Sequence, residues 1–330
     1  MKLSNTKYVV LLIICGGVFF YQSCKKKEDP VKYKYGLFLE TLINIYDMDN
    51  KLDNSDLSEY VIHGNIAILF SNSGDQYGLE QGEINYIFDQ TTGELRSSFG
   101  ITNDVFTQNL INKAAAQGNN SAPYRFFCTT DGFEYFMFSA ENTNGNSDFF
   151  YMKNTPMIGA SYPEIRGPFP VALLNTTAND SYISFNQNFD TAYFSSDRDG
   201  TFNVYVQSFL PETSLSDQLN KTFVTSAKPD SINSNGNDIC PFVHKNVMVF
   251  ASDRLGGLGG FDLYYSVFRN GKWSSPVNFG PGINTEYDEY MPVIGSVTDF
   301  KNSYLIFSSN RKSEGKDEFE LYFTGFNLPK

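Results

Sequence analysis

Residues 247–267 read VMVFASDRLGGLGGFDLYYSV, an apolar run that peaks at Phe250, a polar glycine-rich turn, and a second aromatic run. The same unit appears as IAILFSNSGDQYGLEQGEINYIF from Ile66, YFMFSAENTNGNSDFFYM from Tyr135, AYFSSDRDGTFNVYV from Ala192 and YLIFSSNRKSEGKDEFELYFT from Tyr304. The anchoring residues Phe70, Phe138, Phe194, Phe250 and Phe307 are spaced by 68, 56, 56 and 57 positions. A fixed period of this size marks a supersecondary unit that must stack on copies of itself to bury its faces.

Within one period the punctuation predicts four strands, clearest at Ile239 to Val243, Val247 to Ala251, Phe261 to Phe268 and Lys272 to Phe279, with turn residues at His244 to Asn246, Asp253 to Gly260 and Asn270-Gly271. A four-stranded antiparallel sheet repeated about a ring is a β-propeller blade. The expected fold is therefore all-β, a five-bladed propeller of four-stranded blades spanning residues 33–330, with six blades as the alternative. The fifth copy stops after its third strand, near Glu320 to Phe326. The apolar segment Tyr33 to Tyr46 is the candidate for its missing outer strand, which joins both ends of the chain in one sheet. The long first spacing is assigned to an inserted helix between Asn103 and Gly118, where Asn103 or Asp104 can cap and Val105, Phe106, Leu110 and Ile111 form a stripe. Such an insertion either decorates a binding face or packs structurally.

Aromatic residues make up 16% of the chain, in keeping with pleated, half-buried strands. The formal net charge is −12, and −14 without the N-terminal segment that carries Lys2 and Lys7, so nucleic acid is excluded as a partner. Cationic, neutral and glycan partners stay open. Lys2 and Lys7 precede an apolar stretch from Tyr8 to Tyr21 that is too short to span a bilayer, as in an export signal over residues 1–23. Ser23-Cys24 at its end resembles the lipobox of bacterial lipoproteins, although Tyr21 and Gln22 depart from the common pattern. The resemblance implies lipidation of Cys24 and a charged tether over 24–32, as in Bacteroidetes lipoproteins. It implies an outer-membrane location, facing either periplasm or cell surface; the alternative is a soluble secreted protein cut near Ser23.

Phe194-Ser195-Ser196-Asp197-Arg198, Phe250-Ala251-Ser252-Asp253-Arg254 and Phe307-Ser308-Ser309-Asn310-Arg311 resemble the PD-type, WD-repeat-like propeller repeats of TolB. Companion signatures are Leu174-Asn175-Thr176, Ile232-Asn233-Ser234 and Ile283-Asn284-Thr285, with Asp180, Asp238 and Glu289 five positions beyond each Asn, and Trp273 with Pro276. The likeness is specific over 167–330 and weaker over 60–160, where the Asp-Arg pair is missing. It implies a scaffold for protein contacts in the cell envelope, with no shared reaction and no cofactor.

Repetition at equivalent positions assigns Asp197, Arg198, Asp253, Arg254 and Arg311 to structure, the carboxylates accepting turn amides and the arginines pairing locally. Asp180, Asp238, Asp288 and Glu289 stand where the innermost strands begin. They either hold the incoming turn or ring the mouth of the channel, where they would attract a cation or a basic loop. The enzymatic rival is a glycoside hydrolase, which needs a carboxyl pair about 5 to 9.5 Å apart. His63 and His244 lie in predicted turns of different blades and cannot join in a metal site. Residues 195–202 resemble a sialidase box with its Gly misplaced, and Gly256 to Asp262 a calcium nonapeptide out of register, so both read as ordinary loops. Cys128 and Cys240 fall at equivalent positions of non-adjacent blades and are expected as buried free thiols. The expected function is a non-catalytic envelope lipoprotein that presents a propeller to a protein partner, with a carbohydrate-binding or glycoside-hydrolase-like propeller as the alternative.

Overall fold

In the computed structural model, residues 30–48, 60–72, 78–154, 164–209, 213–222, 228, 231–315 and 318–329 are described below. The expected signal segment, Cys24 and tether residues 25–29 lie outside them. Val31–Lys330 belong to one compact unit. It is a five-bladed β-propeller of small antiparallel sheets.

The chain begins with the short strand β1 (Ile43–Asn44), then builds blade one from β2 (Val61–Asn72), β3 (Gly78–Asp89) and β4 (Leu95–Ile101). Helix α1 (Val105–Ala115) leads into blade two, made of β5 (Asn120–Cys128), β6 (Phe133–Glu141), β7 (Ser147–Asn154) and β8 (Arg166–Pro170). Blade three has β9 (Asp180–Phe185), β10 (Thr191–Ser196) and β11 (Asn203–Ser208), followed by helix α2 (Leu215–Leu219). Blade four has β12 (Asp238–His244), β13 (Val247–Ser252) and β14 (Asp262–Arg269), with an outer strand in two pieces, β15 (Lys272–Trp273) and β16 (Val277–Asn278). Blade five has β17 (Glu289–Ser296), β18 (Ser303–Ser309) and β19 (Glu320–Phe326), and β1 completes it in the order β1-β19-β18-β17. The expected closure is therefore present, although only Ile43 and Asn44 pair as strand, opposite Phe323 and Tyr322.

Hydrophobic burial between blades holds the ring. Successive apolar clusters sit at the five blade junctions: Leu79 with Phe138, Phe149 with Phe194, Tyr193 with Trp273, Leu263 with Phe307, and Ile306 with Ile84. The anchors Phe138, Phe194, Phe250 and Phe307 are all fully buried on the second strands. Each stacks on the residue opposite it in the third strand, with centroids 5.7–6.0 Å apart.

Two blades depart from the expected four strands among the described residues. Blade one has no described strand inside β2. Phe70 opposes Glu80 rather than an aromatic ring, and the edge of β2 itself faces the axis beside β5. Blade three has no described outer strand; the chain goes on into α2, which packs on blade two, the amides of Leu215 and Ser216 donating to Asp131 Oδ2 and the Tyr135 hydroxyl. The first inserted helix matches expectation and is structural. Asp104 caps it by accepting from the Thr107 amide at 2.8 Å, and Leu110, Ile111 and Ala114 are buried against Phe136 and Phe138. Both histidines are corrections: His63 lies in β2, opposite Ile87, and His244 is the last residue of β12, opposite Val247, rather than in turns. Cys128 and Cys240 are both buried and free, as expected, but they do not occupy equivalent positions: Cys240 lies at a bulge near the start of β12, whereas Cys128 ends β5 opposite Phe133.

Candidate functional site

The Asp-Arg repeats form three copies of one internal clasp. In blade four, Arg254 Nε donates to Ser252 Oγ at 2.9 Å, and Nη2 donates to Asp238 Oδ1 at 2.5 Å and to the Ile232 carbonyl at 2.8 Å. Its guanidinium lies 5.2 Å and 4.7 Å from the ring centres of Phe250 and Tyr264, within cation–π range. Arg198 makes the same contacts with Ser196, Asp180, the Leu174 carbonyl, Phe194 and Tyr205. Arg311 makes them with Ser309, Glu289, the Ile283 carbonyl, Phe307 and Tyr322.

The acids of these clasps do not ring a channel mouth. The side chains of Asp180, Asp238 and Glu289 are 0% exposed, and their remaining oxygens accept the amides of Thr176, Ser234 and Thr285. Of the two readings open for them, the structure supports turn closure. Burial raises the pKa of Glu289, opposed by its hydrogen bonds from Thr285 and by the charge of Arg311.

Asp197 and Asp253 hold the residue that precedes each buried acid: Asp197 accepts both the amide and the side-chain N–H of Asn179, and Asp253 those of Asn237. Blade five carries the exchanged pair. Asn310 accepts the amide of Asp288 at 2.9 Å and donates to its Oδ2 at 3.3 Å. This exchange accounts for Asn310 standing where the other blades have Asp. Asp288 Oδ1 also accepts the Phe261 amide at 2.7 Å, and Asp288 is the one acid of the expected set that reaches the central cavity.

That cavity, about 500 Å³, lies where the inner strands meet. Blade one contributes Ile68 to Ser71, blade two Ala122 to Tyr124, blade three Tyr182 and Ile183, blade four Cys240 to Phe242, and blade five Tyr290 to Val293. Phe261, Phe319 and Tyr46 add further rings. The inner strands reach it through a repeated bulge. Ala122, Tyr182, Cys240 and Met291 all have φ between 48° and 57°, and the ladder slips at each of them. A bulge bends the strand and re-aims its side chains, here at the axis. Three of the four are followed by proline (Pro123, Pro241, Pro292), which has no amide to lose from the ladder at a bulge. The Cys240 amide is taken up instead by Ser195 Oγ at 3.0 Å.

The phenols of the cavity stay neutral at physiological pH. Burial pushes Tyr124 up to about 12, and burial, followed by the nearby thiol of Cys240, raises Tyr182 and Tyr290. Burial also raises the Cys240 thiol, so it is a poor nucleophile. Among the described residues no group of His, Cys, Asp and Glu could hold a metal. The stretch Gly256 to Asp262 is a hairpin loop closed by Asp262, which accepts the amides of Leu258 and Gly259. Gly259 is required there, since a Cβ would meet the Tyr287 carbonyl at 2.1 Å.

No protein-family model matches the sequence, and no curated relative is found by sequence comparison. Several solved structures share the fold. A thermostable family-43 glycoside hydrolase is 12% identical with a TM-score of 0.48, over 80% of this chain and 91% of that one. An exo-1,5-α-L-arabinanase from a bovine ruminal metagenomic library is 13% identical with a TM-score of 0.45, over 88% and 96%. The catalytic domain of a GH62 α-L-arabinofuranosidase from Coprinopsis cinerea is 13% identical with a TM-score of 0.45, over 89% and 98%. At these identities the likeness describes the architecture, that of a five-bladed propeller. The expectation of a non-catalytic protein scaffold is corrected on the chain's own geometry: the inner strands enclose an aromatic-lined chamber at the axis, a concave and largely apolar site of the kind that takes a small ligand.

Proposed function

We propose that the protein is a carbohydrate-active propeller that takes a neutral glycan into its central chamber. The lining carries this reading. Flat rings from all five blades can cover the C–H faces of sugars, and neutral phenols with Asp288 supply the few polar groups that orient a ligand. A formal charge of −12 disfavours acidic glycans. Asp288 is the only carboxylate among the described lining residues, so hydrolysis, which uses an acid pair, would need a second carboxyl from outside that lining.

Calorimetry and product release with a panel of neutral oligosaccharides test both steps. The expected result is saturable binding that weakens about tenfold on Tyr290→Ala, the equivalent of about 1.4 kcal/mol. If cleavage occurs, it should disappear in Asp288→Asn while binding persists. Folded protein that binds no member of the panel would sink the proposal.

We also propose that the chain is exported and lipid-anchored through Cys24. Support comes from Lys2, Lys7, the apolar stretch to Tyr21 and Ser23-Cys24. The likeness of the clasp motifs to TolB-type repeats agrees with an envelope location. The anchor would hold the propeller at the outer membrane, within reach of envelope glycans and of an envelope protein partner. Cys24→Ala is expected to move the protein from the membrane to the soluble fraction. Continued membrane association of that variant would contradict the anchor.

A further inference from the structure

Residues 32–36 cross one end of the ring, from blade one to blade five. The amides of Lys32 and Tyr33 donate to the Gln90 carbonyl in the turn between β3 and β4, and the Tyr33 ring lies against Gly93 of the same turn. Gly36 then pairs with the turn between β17 and β18, its amide donating to the Asp299 carbonyl at 2.8 Å and its carbonyl accepting the Lys301 amide at 3.0 Å. Both turns lie at the end of the blades away from the clasps, as does the turn between β12 and β13, because each strand before them starts at the clasp side.

In this sector the chain turns basic. Lys32, Lys34, Lys245 and Lys301 are exposed, and Arg269 and Lys272 stand exposed on the turn beside Lys245. Lys245 Nζ donates to Ser296 Oγ at 3.1 Å, reaching from blade four to blade five. A cleft of about 640 Å³ between these turns has Lys245, Lys301 and the hydroxyls of Ser296, Thr298 and Ser303 on its walls. Among the described residues the acids of the sector are fewer: Glu40, Asp89, Glu94 and Asp299. Glu94 pairs with Arg96, while Glu40 and Asp89 accept hydrogen bonds from Asn327 and Thr91. At the other end, Arg198, Arg254 and Arg311 are neutralised by buried acids, so the formal charge of −12 is unevenly placed.

Apolar and aromatic side chains accompany the lysines. Tyr33, Tyr35 and Leu37 are all exposed, and Lys34 Nζ lies 5.2 Å from the centre of the Tyr35 ring. Tyrosine settles at the headgroup level of a bilayer, and lysine is drawn to an anionic membrane surface. Val31 stands seven positions after Cys24, so the stretch between them spans at most about 25 Å.

We propose that this end of the propeller lies on a bilayer bearing anionic headgroups, with a lipid phosphate in the cleft between Lys245 and Lys301. This orientation rests on the attachment through Cys24 proposed above: the acyl anchor holds the protein, and the basic face sets how it sits. The central chamber uses the first residues of the inner strands, with Phe261 and Phe319 from loops at the clasp end. It therefore lies toward the side away from the lipid.

The mature chain from Cys24, coupled through that thiol to maleimide phospholipid, tests the face on phosphatidylcholine vesicles with and without phosphatidylglycerol. Cys128 and Cys240 are buried and do not compete for the coupling. On the anionic vesicles Lys34, Lys245 and Lys301 should lose most of their acetylation, read by mass spectrometry, and regain it in high salt. Lys113 of α1, the exposed helix that joins blades one and two at the clasp end, should stay reactive throughout. Lys34→Glu with Lys301→Glu should restore acetylation of Lys245. Equal reactivity of Lys34 and Lys113 on anionic vesicles, or protection indifferent to both salt and the double substitution, would overturn the proposal. The anchor is read separately, from the mass of Cys24 in the exported protein: an unmodified Cys24 sinks the anchor, whereas a lipidated Cys24 without the pattern of protection sinks the orientation alone.

Discussion

Replacing Arg254 by alanine is expected to destabilise the protein by about 3–5 kcal/mol, the cost of breaking a buried ion pair by removing one partner. The reason is the state of Asp238. Its carboxylate is 0% exposed, and the amide of Ser234 alone does not balance a buried charge. The same substitution removes the donor to the Ile232 carbonyl and to Ser252, and uncovers the faces of Phe250 and Tyr264. Arg254→Lys should recover only part of the loss, because an ammonium cannot reproduce the planar fork that serves three acceptors at once. Asp238→Asn added to Arg254→Ala should recover more, since it removes the orphaned charge. Urea unfolding checks this as a fall in midpoint at constant slope. An Arg254→Ala midpoint within about 0.5 kcal/mol of the parent would refute the clasp.

The clasp was legible in the sequence because it is repeated: Phe, Ser, Asp or Asn, and Arg occupy fixed positions in three blades, and only a structural contact asks for the same residues at symmetric places. Closure by the N-terminal segment and the helix after blade one were legible too. The first follows from a fifth copy that ends one strand short, and the second from a cap at Asp104 ahead of an apolar stripe. The chamber was harder to foresee. It is assembled from two to four inner-strand residues of each blade, separated by about a period in sequence, and no local pattern marks them as neighbours. A partial signal did exist in Ala122-Pro123, Cys240-Pro241 and Met291-Pro292, because proline inside a strand argues for a bulge. Tyr182-Ile183 makes the same bulge without proline, and nothing local distinguishes it. Asp180, Asp238 and Glu289 were placed correctly at the starts of inner strands. Which way each side chain turns depends on an arginine 16 to 22 positions later, a long-range contact that spacing alone does not orient.

Phe38→Ala should be comparably costly, about 3–5 kcal/mol, and its effect is expected at the seam of the ring. Phe38 is 3% exposed and stacks flat on Phe300 at 3.9 Å, with the rings of Tyr86, Tyr304 and Phe323 set edgewise around it. Its backbone is clamped on both sides of Cα, the amide donating to Asn302 Oδ1 at 2.9 Å and the carbonyl accepting from Asn302 Nδ2 at 2.8 Å. Strand pairing cannot carry the closure, because β1 contributes two residues only. One aromatic plug between blades one and five must therefore do most of it. Two glycines let the segment come this close. A Cβ on Gly325 would lie 2.2 Å from the Phe38 carbonyl, and one on Gly36 would lie 2.7 Å from the Phe300 ring. Gly325→Ala is thus expected to displace the segment at a cost of about 1–3 kcal/mol, acting on the backbone of Phe38 and leaving its ring in place as a side chain. Leu39→Ala serves as the control: this neighbour is 56% exposed, and its loss should stay within about 0.5 kcal/mol. Denaturant unfolding ranks the three variants, and amide exchange locates the damage. If the plug closes the ring, Phe38→Ala should speed exchange at Phe38 and Gly325 far more than at the clasped amides of blade four, since the outer edge of β19 loses its cover while the clasps stay intact. Uniform acceleration in every blade would mean that the ring opens as one unit and that its seam is no weaker than its other junctions.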